Sequence, residues 1–208
     1  MLPDYSHLML SLTAAILLNL IPGNDVLYIA SQSFSSTRQG ILAAIGISVG
    51  ATIYIIATAF GLSEIFRHSP LAFNLIKITG AIYLLYLAWK AFNSMEISMT
   101  TENRQVSSLK SFYMGIFTNL LNPKVGIFFI TFLPQFTDSS RGKLYIQLLS
   151  LGACFMVSGT IINLGYACLI GRLKDRLFAK SYVQLWLNKA TSLVFCVLAI
   201  KVLSAKQS

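Results

Sequence analysis

Apolar residues along this chain fall into six long runs. The first is Leu8–Ile21, carried past Pro22-Gly23 as Val26–Phe34. The others are Ile41–Leu62, Leu71–Phe92, Phe112–Phe136, Leu144–Ile170 and Tyr182–Leu203. Ile41–Leu62 holds 22 residues without a charge and Leu144–Ile170 holds 27. A helix needs about 20 residues to cross hydrocarbon, so each run predicts one transmembrane helix. Two of the six are interrupted, the first at Pro22-Gly23 and the fourth at Asn122-Pro123-Lys124. The third ends on Trp89-Lys90, an aromatic and a snorkelling base suited to the membrane interface. Met1-Leu2-Pro3-Asp4 lacks the basic region of a cleaved signal, so the first run is expected to be retained. The expected fold is an all-α integral membrane protein of six transmembrane helices in a single domain, 1–208.

The two halves resemble one another. Asn19-x-x-Pro22 matches Asn119-x-x-Asn122-Pro123, with the prolines 101 residues apart. Gly40 and Gly50 match Gly142 and Gly152 at an offset of 102, and Lys77-x-x-Gly80 matches Lys189-x-x-Ser192 at 112. Each half is a broken helix followed by two intact ones, 1–92 and 111–208, joined by a polar linker over 93–110. Three spans is odd, so the second half crosses in the opposite sense, which describes a 3+3 inverted repeat. Inverted repeats with broken helices are a recurring transporter plan, because lipid forces a break at membrane depth to be buried in protein or to line a wet cavity. The competing view is that both prolines merely kink their helices.

Composition agrees with residence in lipid. The 208 residues are 55% apolar and 11% charged, against about 25% charged in an ordinary soluble domain, and the mean hydropathy is +0.69. Half the usual charge density cannot cover a compact globule with polar groups, and so apolar a chain is not disordered. Lys and Arg number 16 against 7 acids, a net charge of +9. The bases lie between apolar runs and form no stripe, which points to cytoplasmic loops facing anionic lipid rather than to nucleic acid. Eight bases fall on one set of alternate loops and five on the side of both termini. That bias places the termini outside the cytoplasm. Cys154, Cys168 and Cys196 form no paired motif and sit inside apolar runs, which argues against a disulfide framework or a thiol carrier.

Few polar groups remain inside the spans, and they carry the candidate chemistry. At Pro22-Gly23-Asn24-Asp25, proline removes a donor, glycine widens the backbone choice, and Asn24 suits the cap of the restarting helix. That helix start presents free N–H groups that suit a carboxylate. Asp25 is the only acid within any run, where a charge is costly and needs a partner or a function. It either caps its helix or pairs with Lys77, or it serves as a proton site and a counter-charge for an ammonium. At the second break Pro123 forces Asn122 out of helical geometry, and Lys124 either attracts a carboxylate or snorkels to an interface. Asn19 and Asn119 either line the same cavity or bond neighbouring helices. Lys77 and Lys189 are internal partners or snorkelling residues. A helix end for a carboxylate and an acid for an ammonium together suit a zwitterion. Gly46-x-x-x-Gly50 is a close-packing pattern for helices. His7 and His68 lie outside the runs and one acid builds no metal cage. No hydrolase, metalloprotease or phosphate-loop motif is present, so neither a cofactor nor an ATP-driven cycle is expected.

These residues resemble the LysE/RhtB-type amino-acid exporters of bacteria. The resemblance spans nearly the whole chain and rests on four stretches in order. They are the break Pro22 to Asp25, the glycines 40, 46 and 50, the stretch Lys77 to Leu84, and Asn119 to Lys124 followed by Phe132 to Phe136. It implies six helices in the inner membrane and proton-driven export of amino acids or close derivatives. The expected partners are the amino acid, protons and the lipid bilayer, with a homodimer allowed. Asn24 departs from the family pattern by standing where that motif has a second proline. The expected function is thus a proton-coupled exporter of small neutral amino acids. The alternative is a cation or metal-ion permease of related architecture. A membrane enzyme or redox carrier requires the three cysteines to participate, and a purely structural membrane subunit requires no site at all.

Overall fold

The computed structural model describes residues 3–20, 23–62, 70–93 and 107–177, together with 189, 192–193, 196–197 and 199–200. Among them every regular element is helical. The helices are α1 (Tyr5–Leu20), α2 (Asn24–Ser35), α3 (Thr37–Ala57), α4 (Pro70–Asn93), α5 (Ser108–Leu120), α6 (Pro123–Ile127) and α7 (Leu144–Leu177). A π-helical turn, Thr58–Leu62, extends α3, and Phe128–Phe132 and Leu133–Phe136 carry the chain on from α6 as π and 3₁₀ turns. Thr37–Gly61 and Leu144–Arg172 are each long and apolar enough to cross a membrane. The pairs α1 with α2 and Ser108–Leu120 with Pro123–Phe136 are bent by 47° and 48°, and counting each pair as one span gives four among the described residues. With 24 residues rising 1.5 Å each, α4 is about 36 Å long. Most of the expected sixth run, and with it Pro22, lies outside the described residues.

Element ends differ from the apolar runs for local reasons. The helix α3 starts ahead of Ile41 because the Ser36 hydroxyl caps it, accepting from Gln39 N–H at 3.2 Å. The helix α7 continues past Ile170 to Leu177, since Arg172-Leu173-Lys174 holds good helix formers and no breaker. Hydropathy marks where lipid ends, and the helix ends elsewhere. Beyond α6 the chain tightens into a 3₁₀ turn at Pro134, which cannot donate to an α-helical ladder.

The centre of the bundle is α3. It packs on α5, α7 and α2, while α1 packs on α7. The α3–α5 contact is close because the expected glycine face is used. A Cβ at Gly46 would strike the Phe112 carbonyl, and one at Gly115 would lie 2.5 Å from the Ala43 carbonyl oxygen. Antiparallel packing joins α3 and α7, with Ile55 beside Gly152, Ser48 against Thr160 and Thr37 beside Gly171. Two apolar clusters form. One is aromatic, with Phe128, Phe129, Phe132 and Phe136 around Phe155, the Phe128 and Phe155 rings 4.8 Å apart. The other joins Ile29, Ala43, Ala44, Ile47 and Ala167. The outer surface is apolar as well, with Ile53, Ile82, Phe117 and Ile161 exposed, as lipid contact requires.

Candidate functional site

Between the two apolar clusters lie the ends of four half-length helices. At the first break, α1 ends at Leu20 and α2 begins at Asn24. The cap of α2 is Gly23, whose extended backbone (φ −147°, ψ −167°) offers no side chain, so no side chain caps the helix. Asn24, the expected cap, is instead the first helical residue and its side chain is exposed. One residue of register explains the difference: Gly23 supplies the carbonyl that accepts from Leu27 N–H at 2.9 Å, so Asn24 is already inside the first turn. Asp25 follows in that turn and is buried, a position where the helix dipole favours an anion.

The second break is closed by its own side chain. Asn122 is extended, and its Oδ1 accepts from Lys124 N–H at 3.1 Å. Pro123 follows at the first helical position, where its missing N–H leaves no bond unmade. Lys124 is buried rather than snorkelling. Its Nζ donates to the Leu18 carbonyl at 3.3 Å, in the last turn of α1, where the dipole favours a cation. A Cβ added to Gly23 would lie 3.1 Å from that Nζ, so the lysine of the second break occupies the first.

Asn119 completes the junction. Its Nδ2 donates to Asp25 Oδ2 at 2.9 Å, joining residues 94 positions apart. Asp25 Oδ1 and Asn119 Oδ1 are buried without a hydrogen-bond partner among the described residues. Both residues line one cavity with Asn19 and Lys124, closed on the other side by α3 (Ile47, Ser48, Ala51) and α7 (Phe155, Met156, Gly159, Thr160, Asn163). Its volume, about 20 Å³, admits one or two waters and no amino acid without a widening of the bundle. Buried oxygens without a partner beside a water-sized space are where a water or a ligand group would complete the hydrogen bonding.

Of the other expected residues, Asn19 reaches α7 through long contacts of its Nδ2 to the Phe155 carbonyl, 3.4 Å, and Ser158 Oγ, 3.5 Å. It thus bonds a neighbouring helix while lining the cavity. The lysine at 77 is on α4, its side chain outside the described residues; Lys189 is helical and exposed. Two further pairs were not anticipated. The Tyr54 hydroxyl donates to the Leu120 carbonyl at 2.7 Å, and the Tyr166 hydroxyl to the Leu20 carbonyl at 2.9 Å. Each half-helix thus has its last carbonyl, an orphan acceptor, satisfied by a tyrosine of the long helix in the opposite half. Ser48 and Thr160 hydroxyls meet at 2.7 Å. Lone hydroxyls and tyrosines in apolar runs carry no local signal of such roles. Asn163 is one of only two amides in its run, and that was the one available hint.

Comparison with known proteins assigns this chain to a family. The model of the LysE type translocator matches residues 16–206. A homoserine/homoserine lactone efflux protein of Salmonella typhimurium is 30% identical over 201 residues, 95% of this chain and 96% of the relative. The protein of the same name from Salmonella typhi aligns equally, with 30% identity over 95% of this chain and 96% of the relative. An uncharacterized membrane protein of Vibrio cholerae is 29% identical over 94% of this chain and 95% of its own length. No solved structure matches. Members of the matched family are membrane transporters, not enzymes. With the match running over nearly its whole length, this chain belongs to the LysE-type translocator family.

Proposed function

We propose that the protein is a proton-coupled exporter of small neutral amino acids, threonine- or homoserine-like, in the bacterial cytoplasmic membrane. The observation that carries the reading is Asp25, a buried carboxylate at a helix start, held by Asn119 through one oxygen with the other unpartnered in the cavity. The Salmonella relatives named for homoserine efflux support the substrate class.

In this reading the first break holds opposite charges at opposite helix ends. Asp25 lies at the start of α2 and Lys124 at the end of α1. An amino-acid zwitterion matches them, its ammonium toward Asp25 and its carboxylate toward Lys124 and the N–H groups of α2 that no side chain caps. Coupling follows from competition. Asp25 is neutralised either by a proton or by the substrate ammonium, not by both. With substrate bound, its ammonium meets Asp25 and its carboxylate draws on Lys124. Without substrate, a proton takes the ammonium's place at Asp25, and the bundle rearranges readily only when one of the two is bound. Exchange of substrate for proton is the result.

The rearrangement is assigned to a 3+3 inverted repeat, 1–92 and 111–208 around the linker 93–110, with six spans and both termini periplasmic. Three features support it. The second helices of the halves, α3 and α7, run antiparallel; the two bent pairs share nearly one angle, 47° and 48°; and Tyr54 and Tyr166 each cap the broken helix of the other half.

Purified protein in proteoliposomes tests the reading. An imposed pH gradient drives wild-type movement of labelled homoserine or threonine, and Asp25→Asn inserts and folds but loses the gradient-driven part. Undiminished gradient-driven transport by Asp25→Asn sinks the proton role.

A further inference from the structure

The cavity lining includes a pair of hydroxyls that the charge geometry does not use. Ser48 on α3 and Thr160 on α7 meet there at 2.7 Å, either hydroxyl donating. Ser48 Oγ also lies 3.0 Å from the Ala44 carbonyl oxygen, and Thr160 Oγ1 lies 2.7 Å from that of Met156. Two hydroxyl protons therefore serve three contacts, since each hydroxyl has one proton and two lone pairs. In every arrangement one of the three contacts lacks a proton. The lining also holds the apolar Ile47, Ala51 and Met156 and the amides of Asn163 and Asn19.

We propose that Ser48 and Thr160 are the specificity-determining residues of the site, reading a hydroxyl on the short side chain of the transported amino acid. The assignment rests on the export reading above and adds which part of the cavity faces the side chain. A substrate hydroxyl donates to a lone pair that the donor-poor pair leaves open. A methyl group in the same place shields the pair's open lone pair from water and supplies no donor in return. A wall built to hydrogen-bond a hydroxyl rejects the analogue that lacks it, whereas an apolar pocket discriminates the pair poorly. The two residues come from opposite halves of the chain, so the subsite is assembled only when α3 and α7 are packed together.

Isosteric pairs isolate the effect. Wild-type protein in proteoliposomes under one pH gradient is given threonine against valine and homoserine against norvaline, each pair differing by hydroxyl for methyl. The expected preference for the hydroxyl member is about tenfold, the size of one net hydrogen bond to a buried partner. Ser48→Ala and Thr160→Val bring the ratio toward one, and Thr160→Ser keeps it. A merely structural interhelical bond predicts that both members of a pair fall together with the ratio unchanged. That result in both variants overturns the assignment. So does equal transport of the paired amino acids by the wild type, which decides the matter even where a variant fails to insert. Failure of the wild type to move any amino acid overturns the export reading, and the assignment with it. Movement of valine and norvaline as fast as their hydroxyl counterparts overturns the assignment alone.

Discussion

The two helix breaks, alike in sequence, are finished in different ways. At the second, Asn122 caps α6 with its own side chain and Pro123 occupies the one helical position that needs no donor. At the first, Gly23 caps α2 with backbone only. The residues that fill it come from the second break: Asn119 donates to Asp25, and Lys124 reaches the end of α1. The second break satisfies its backbone locally, with Asn122 Nδ2 left buried without a partner among the described residues. The first break is completed by borrowed side chains, with Asp25 Oδ1 and Asn119 Oδ1 unpartnered among the described residues. The two breaks are therefore one junction, the second its donor half and the first its receiving half.

The largest test of this asymmetry removes one charge from the junction. Lys124→Gln leaves Asp25 buried without its nearby cation, and Asp25→Asn leaves the cation without its acid. Each single change is expected to cost on the order of 3 kcal/mol, and the double change less than the sum. Thermal unfolding in detergent of the four proteins reads this directly. Additive losses would falsify the claim that the two breaks form one unit.

Asn119→Ala comes next. It removes the donor 2.9 Å from Asp25 Oδ2, at an expected cost of about 1–3 kcal/mol. Its distinguishing mark is a loss of gradient-driven transport per folded molecule, because the donor that orients the Asp25 carboxylate is gone. Full gradient-driven transport per folded molecule means that Asn119 only packs the helices.

Smaller still is Asn122→Ala at the self-capped break. Loss of a single cap costs about 1 kcal/mol, and transport per folded molecule should fall far less than in Lys124→Gln. Equal transport defects in the two would erase the distinction between the side chains lent to the first break and the local cap.

The smallest effect lies outside the membrane, where Arg141 clasps the start of α1 to the loop before α7. Its guanidinium is 3.0 Å from Asp4 and 3.5 Å from Asp138. The Ser6 hydroxyl holds Asp4 below the ordinary carboxylate value of 3.8, and the Ser140 hydroxyl does the same for Asp138, with Arg141 contributing to both. Depressed values mean that the contribution is fully present above pH 3.8 and disappears as pH falls through the lower native values. The groups are solvent-exposed, so the effect is slight and salt-sensitive. The difference in melting temperature between wild type and Arg141→Gln should be constant from pH 7 to about pH 5 and shrink below the carboxylate range. A difference that grows on acidification would remove the clasp.

Much of the fold was legible because hydropathy and proline act locally. The four apolar runs around the site became helices near their expected places, and Gly46 and Gly50 packed as a small-residue face does. The departures were local too, and have local causes. Arg172 to Leu177 stayed helical because helix propensity does not stop where apolarity does, and Asn24 lost the cap because Gly23 took it one residue earlier. Asp25, Asn119 and Lys124 stood out as rare polar groups in apolar surroundings. Tyr54, Tyr166, Ser48 and Thr160 did not, because such residues are ordinary inside spans and become informative only once their neighbours are known.

By itself, the sequence determined that this chain lives in lipid, where its helices are interrupted, and that one acid sits at an interruption. Burial of apolar surface and the loss of a backbone donor at proline depend on a few consecutive residues and can be read from them. Only the tertiary structure decided that Lys124 turns inward, that Asn119 meets Asp25, and that the first break is left open while the second is capped. Those outcomes depend on which helix faces meet, and that choice is made by close packing between residues some hundred positions apart.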